Sequence, residues 1–130
     1  MNTWQRDIFD FHKCMGISIS DFPCEPDAKT KPLRVTLIRE ETEELLDAIE
    51  AGDMEKIADG AVDSIVVILG TMVSYGIDLA PIWDEIHRTN MAKQGGGVRE
   101  DGKILKPVGW KPPDVANLLK EQGWKGYEGK

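Results

Sequence analysis

Five carboxylates fall inside apolar helical patterns. Glu40, Glu41 and Glu44 lie in Arg39-Glu40-Glu41-Thr42-Glu43-Glu44-Leu45-Leu46-Asp47, and Asp59 and Asp63 lie in Ala58-Asp59-Gly60-Ala61-Val62-Asp63. An ionised carboxylate among apolar side chains is costly unless it is paired, coordinated or protonated. Five of them on two helices call for a compensating cation, and a divalent metal fits that need. Oxygen-only ligands suit Mg²⁺, or Mn²⁺ in its place, rather than zinc. His12 and His87 have no metal-ligand spacing and no cysteine partners, which also argues against zinc.

Helical phase sorts these acids. At about 100° per residue with Glu40 at zero, Leu33, Leu37, Ala48 and Leu45 span roughly 20° to 140°. Glu44 falls at about 40° and Glu41 at about 100°, inside that arc, with Glu40 at its margin. Glu43, Asp47 and Glu50 fall on the polar side and read as solvated. Asp63 sits in a helix that is apolar on every side, with Asp59 one turn earlier. Each inward acid has a plainer alternative. Glu41 and Glu44 would be ion-paired to Arg34 or Lys56, Asp63 hydrogen-bonded within the bundle, and Asp59 mere helix-start charge.

The elements that must position these residues follow from periodicity, caps and breakers. Trp4, Ile8, Phe11 and Met15 predict a helix from Thr3 to Met15. Gly16 to Pro32, with three prolines, reads as a long loop. A second helix is expected from about Leu33 to Ala51, ended by Gly52. Asp53 is the N-cap of a third, reaching about Tyr75 and ended by Gly76. Asp78 caps a fourth, with Pro81 in its first turn, running to about Lys93. Gly95-Gly96-Gly97 breaks that helix, and a short one is expected from Pro113 to Glu121. No period-2 strand pattern and no repeat is present. The expected fold is all-α and four-helix-bundle-like. It is a single domain over 1–130, with a helical core at about 1–94 and a long, mostly irregular C-terminal arm at about 95–130.

A length of 130 residues suits one small domain, and a net charge of −7 argues against nucleic acid as a partner. The charge is uneven. Leu37 to Asp63 holds ten acids against two bases, whereas Lys93 to Lys111 holds five bases against two acids. This distribution suits a metal site and a phosphate-contacting loop; ordinary solvated charge would produce it as well. Cys14 and Cys24 make no disulfide framework and read as reduced thiols. The N-terminus shows no charged-then-apolar leader, and the longest apolar run is only Ile65-Val66-Val67-Ile68-Leu69. A soluble cytoplasmic protein without a membrane partner is therefore expected.

The string Glu40-Glu41-x-x-Glu44, followed by an acidic helix ending in Asp63, resembles the all-α nucleoside triphosphate pyrophosphohydrolases. These are the MazG-like and phosphoribosyl-ATP pyrophosphohydrolase-like proteins, and the resemblance runs from about Leu33 to Lys93. The family pattern is EExxE followed by ExxD; here Gly60 stands where the second motif has Glu, and Asp59 faces roughly the same way. The resemblance implies that Glu41, Glu44 and Asp63 are metal ligands, with Asp59 a fourth and Glu40 a ligand or the base that orients water. It implies Mg²⁺-dependent cleavage of a (d)NTP to a (d)NMP and pyrophosphate, as in nucleotide-pool house-cleaning. The alternative within the class is the phosphoribosyl-ATP pyrophosphohydrolase of histidine biosynthesis; the alternative outside it is a non-catalytic metal-binding helical module. A homodimer or homotetramer is expected, because one short bundle cannot cover an all-apolar third helix.

The end of the fourth helix and the arm supply the positive charge. Similar proteins contact substrate sugar or phosphate through an Asn and a Lys at this point, which are Asn90 and Lys93 here; the plainer reading is favourable charge at a helix C-terminus. Arg99, Lys103, Lys106 and Lys111 follow among glycines, as a lid over the phosphates or a tail crossing a neighbouring subunit. Trp83, beside Ile82 and Ile86, is expected in the core, with stacking on a base as the alternative. Trp110 would cap the base pocket or anchor the arm.

Overall fold

The computed structural model describes residues 1–127. Its five helices are each started by a local device. In α1 (Thr3–Met15), the Asn2 side chain accepts from the Gln5 amide at 2.9 Å. α2 (Thr30–Ala51) starts three residues earlier than its prolines suggested. Asp27 Oδ1 accepts from the Thr30 amide at 2.8 Å, and Pro32 falls in the first turn, where its missing N–H costs no bond. Asp53 caps α3 (Met54–Tyr75), Asp78 caps α4 (Leu79–Met91) and Asp114 caps α5 (Val115–Glu121). α4 ends two residues short of the expected Lys93, and α5 begins two after Pro113. The described residues hold no strand, only an isolated antiparallel bridge between Val98 and Ile104.

A two-residue turn at Gly52 and Asp53 folds α2 back on α3 as an antiparallel hairpin, the main packing interaction of the molecule. Its closest approach is at Gly60, where an added Cβ would stand 3.2 Å from the Leu45 Cα. A side chain at position 60 would press on the α2 backbone, so the glycine that stands in place of the expected acid lets the two helices meet closely. α1 packs on α3, and α4 packs chiefly on α5.

The buried apolar residues are few: Ala48, Leu69, Val73 and Ile82. Around them lies a polar interior at the C-terminal half of α3. Arg34, 6 % exposed, reaches across from α2; its Nε donates to Thr71 Oγ1 at 3.0 Å and its Nη2 to the Val67 carbonyl at 2.8 Å. His12 Nδ1 donates to the Ser18 carbonyl at 2.9 Å, which leaves Nε2 as the acceptor nitrogen. An added Cβ at Gly70 would stand 2.5 Å from Arg34 Nη2 and 2.9 Å from His12 Nε2, so this glycine is what lets both side chains cross α3.

Two expectations need correction. Trp83 is not in the core: it is 70 % exposed, because α4 turns its Ile82 inward and leaves Trp83 and Ile86 outside. The expectation of no apolar stretch of membrane length also fails by length and composition alone, since α3 has 22 residues and an 18-residue window within it has mean hydropathy 1.6. That helix carries Asp59 and Asp63 and packs against α1 and α2.

Candidate active site

The N-terminal half of α3 and the C-terminal half of α2 form a cleft of about 440 Å³, lined by Glu44, Asp47, Asp53, Lys56, Asp59, Gly60 and Asp63 among others. Glu44 and Asp59 are exposed, and Asp63 is half-buried. Glu41 does not line the cleft but stands beside it, half-buried, with its Oε2 out of reach of solvent and without a hydrogen-bond partner. Burial pushes the Glu41 carboxyl above the usual carboxylate range, and the charges of Glu44, Asp63, Glu40 and Asp59 push it further. The other four acids singled out in the sequence thus all act on Glu41.

The plainer alternatives for Glu41 and Glu44 do not occur. Among the described residues no ion pair joins either to Arg34 or Lys56; Arg34 spends its donors on Val67 and Thr71 at the other end of α3. An orphaned buried carboxylate oxygen amid four further carboxylates is what a hard, oxygen-seeking divalent cation would satisfy. Among the described residues no three such groups already converge on a single point, so binding would draw these side chains together against their repulsion.

Three cleft residues were not among the expected site residues: Asp47, read as solvated, Asp53, read as a helix cap, and Lys56, named only as an ion-pair alternative. Asp47 is three residues after Glu44, a spacing that shares a helix face, and that signal was available. Ser64 Oγ, next to Asp63, is a second buried polar atom without a partner.

The positive residues lie elsewhere. No residue beyond Asp63 lines the acidic cleft. Asn90 is exposed in the last turn of α4, and Lys93, three residues on, falls in the turn that follows, so the shared helical face that an i, i+3 spacing would give does not form. Lys93 and Lys106 both approach the Trp110 ring. Lys111 is exposed and in no ion pair among the described residues. Arg99 is already committed: its guanidinium grips Asp101 in the same turn through Nε at 2.8 Å and Nη2 at 2.5 Å.

The arm runs back along its own chain. Trp110 Nε1 donates to the Thr89 carbonyl at 2.7 Å, the Asp114 amide to Glu85 Oε2 at 2.9 Å, and the Asp78 amide to Gln122 Oε1 at 2.8 Å. Of the two readings of Trp110, anchoring the arm is the one these contacts support.

A search of curated proteins gives no match to this chain. The family model described as phosphoribosyl-ATP pyrophosphohydrolase matches residues 8–90, well over half of the chain. That span takes in α1 from Ile8 onward, the whole α2–α3 hairpin with its five acids, and Asn90, and stops short of Lys93 and the arm. By the extent of that match the chain belongs to the phosphoribosyl-ATP pyrophosphohydrolase family, within the all-α nucleoside triphosphate pyrophosphohydrolases, which are hydrolases acting on acid anhydrides.

Proposed function

We propose that this chain is a Mg²⁺-dependent nucleoside triphosphate pyrophosphohydrolase, with Mn²⁺ as an alternative cation, that converts a (d)NTP to a (d)NMP and pyrophosphate in nucleotide-pool house-cleaning. The observation that carries the reading is Glu41, with its inaccessible, unpartnered Oε2 among four further carboxylates. Glu41, Glu44, Asp59 and Asp63 would hold the cation. When bound, the cation supplies positive charge against the phosphate chain and polarises the attacking water. Glu40, exposed beside Glu41, orients that water and accepts its proton. Water adds across the anhydride between the α and β phosphates, and the bridging bond breaks. Asn90, Lys93, Lys106 and Lys111 supply donors and charge for the sugar and phosphates; Arg99 joins them only by releasing Asp101.

The acidic cleft and these positive residues share no lining, so the reading includes a homodimer or homotetramer in which a second copy brings them to one substrate. Leu46, Ile49, Val62, Ile65 and Ile68 are exposed along the hairpin and support such an assembly. The reading also includes a cytoplasmic location, and neither nucleic acid nor membrane as partner, from the acidic charge balance.

A second reading has its own support: the matching family model favours phosphoribosyl-ATP as substrate, with the same anhydride cleaved. A panel of nucleoside triphosphates and phosphoribosyl-ATP, assayed for pyrophosphate with Mg²⁺ and with EDTA, separates the two. Cation-dependent release from ordinary triphosphates supports the first. Release from phosphoribosyl-ATP alone moves the assignment to the second. No release from any of them overturns both and leaves a non-catalytic metal-binding module.

A further inference from the structure

Just beyond α4, two cations are held on one aromatic ring. Lys93 Nζ lies 5.4 Å and Lys106 Nζ 4.8 Å from the centroid of Trp110. The two ammonium groups are therefore at most about 10 Å apart. Neither is in an ion pair among the described residues, although Arg88 and Arg99 close by are matched with Glu85 and Asp101. The ring is fixed by its Nε1 bond to Thr89, a residue buried near the end of α4. Lys106 is fixed from the other side. Its neighbours Leu105 and Pro107 rest on Gly96, where an added Cβ would come within 2.8 Å of the Pro107 nitrogen, and the Leu105 amide donates to the Gly97 carbonyl at 3.0 Å.

We infer that Trp110 is a positioning residue that gathers Lys93 and Lys106 into a clamp for the di- or triphosphate portion of the substrate. The negative face of the indole offsets part of the repulsion between the lysines. What it leaves unmet is their demand for negative charge, and two linked phosphates supply it across both ammonium groups while a single phosphate reaches one. The substrate identity rests on the pyrophosphohydrolase reading; the ring and its two lysines do not.

Binding of inorganic pyrophosphate in EDTA, followed by calorimetry, tests the clamp without turnover. Wild type is expected to bind pyrophosphate more tightly than orthophosphate. Trp110→Leu weakens pyrophosphate binding about tenfold, and Lys106→Ala does the same but adds little in the Trp110→Leu background. Trp110→Phe keeps most of the affinity, because it retains a ring while losing the bond to Thr89. In turnover, Trp110→Leu raises KM about tenfold and leaves kcat within about twofold. Unchanged pyrophosphate binding in Trp110→Leu, Trp110→Phe as weak as Trp110→Leu, or no binding by wild type overturns the clamp. Pyrophosphate binding without turnover of any triphosphate faults the activity assignment and leaves the clamp standing.

Discussion

The two halves of α3 handle buried charge in opposite ways. At the C-terminal half, the Arg34 guanidinium is almost fully enclosed, and Val67 and Thr71 take up its donors. At the N-terminal half, Glu41 keeps a buried oxygen with no partner and four like charges around it. A satisfied buried charge holds helices in register; an unsatisfied one marks a place completed by something from outside the chain. The difference separates a structural polar cluster from a functional one within a single helix.

The largest expected effect falls on the unsatisfied end. Glu41→Gln and Asp63→Asn should each lower turnover by about 10³-fold or more, measured as pyrophosphate release. Both should unfold at a temperature equal to or above that of wild type when no cation is present, since each removes a repulsive charge. Wild-type rates in both variants would break the comparison at its functional side.

The satisfied end should behave the other way round. Arg34→Ala should cost about 3 kcal/mol of stability in denaturant titration, through lost packing and lost charge-assisted bonds. The folded fraction should retain its affinity for cation. Loss of cation binding in a folded Arg34→Ala protein would join the two halves that the structure keeps apart.

Lys93→Ala should mainly raise KM, by about tenfold; an unchanged value would return Lys93 to the role of helix-end charge.

The smallest effect concerns His12. Its pKa is lowered by burial first and by Arg34 second, against a raising contribution from its bond to Ser18. A histidine held below its ordinary value is neutral in the fold and takes up a proton on unfolding. Its contribution is therefore present above about 6.5 and is lost as pH falls below it. Melting curves between pH 8 and pH 5 should decline less steeply in His12→Gln than in wild type. Parallel curves would remove His12 from the acid response.

Local signals made most of the fold legible. Asp53, Asp78 and the glycines at 16, 52 and 76 mark helix ends, and the ends of α1 and α3 fall where those residues put them. Pro32 misled because a proline ends a helix from within yet suits its first turn, and only the Asp27 cap upstream distinguishes the cases. The five acids could be gathered because helical phase is a local property. Which side of α4 faces inward is not, and Trp83 therefore lies outside the core. The tie of Arg99 to Asp101 was illegible for a similar reason. It depends on the turn conformation at 99–103, where the Arg99 amide donates to the Lys103 carbonyl. Gly60, as a small residue on the α3 stripe, allows a close helix approach, but that Leu45 of α2 is what meets it there is a tertiary fact that the sequence does not carry.

Calorimetric titration of Mg²⁺ into wild type and Glu41→Gln, alongside circular dichroism, tests the central claim most directly. Saturable binding to wild type that disappears in the fully helical variant is the result expected. Equal binding in both, or none in wild type even with a triphosphate present, would contradict a cation site centred on Glu41.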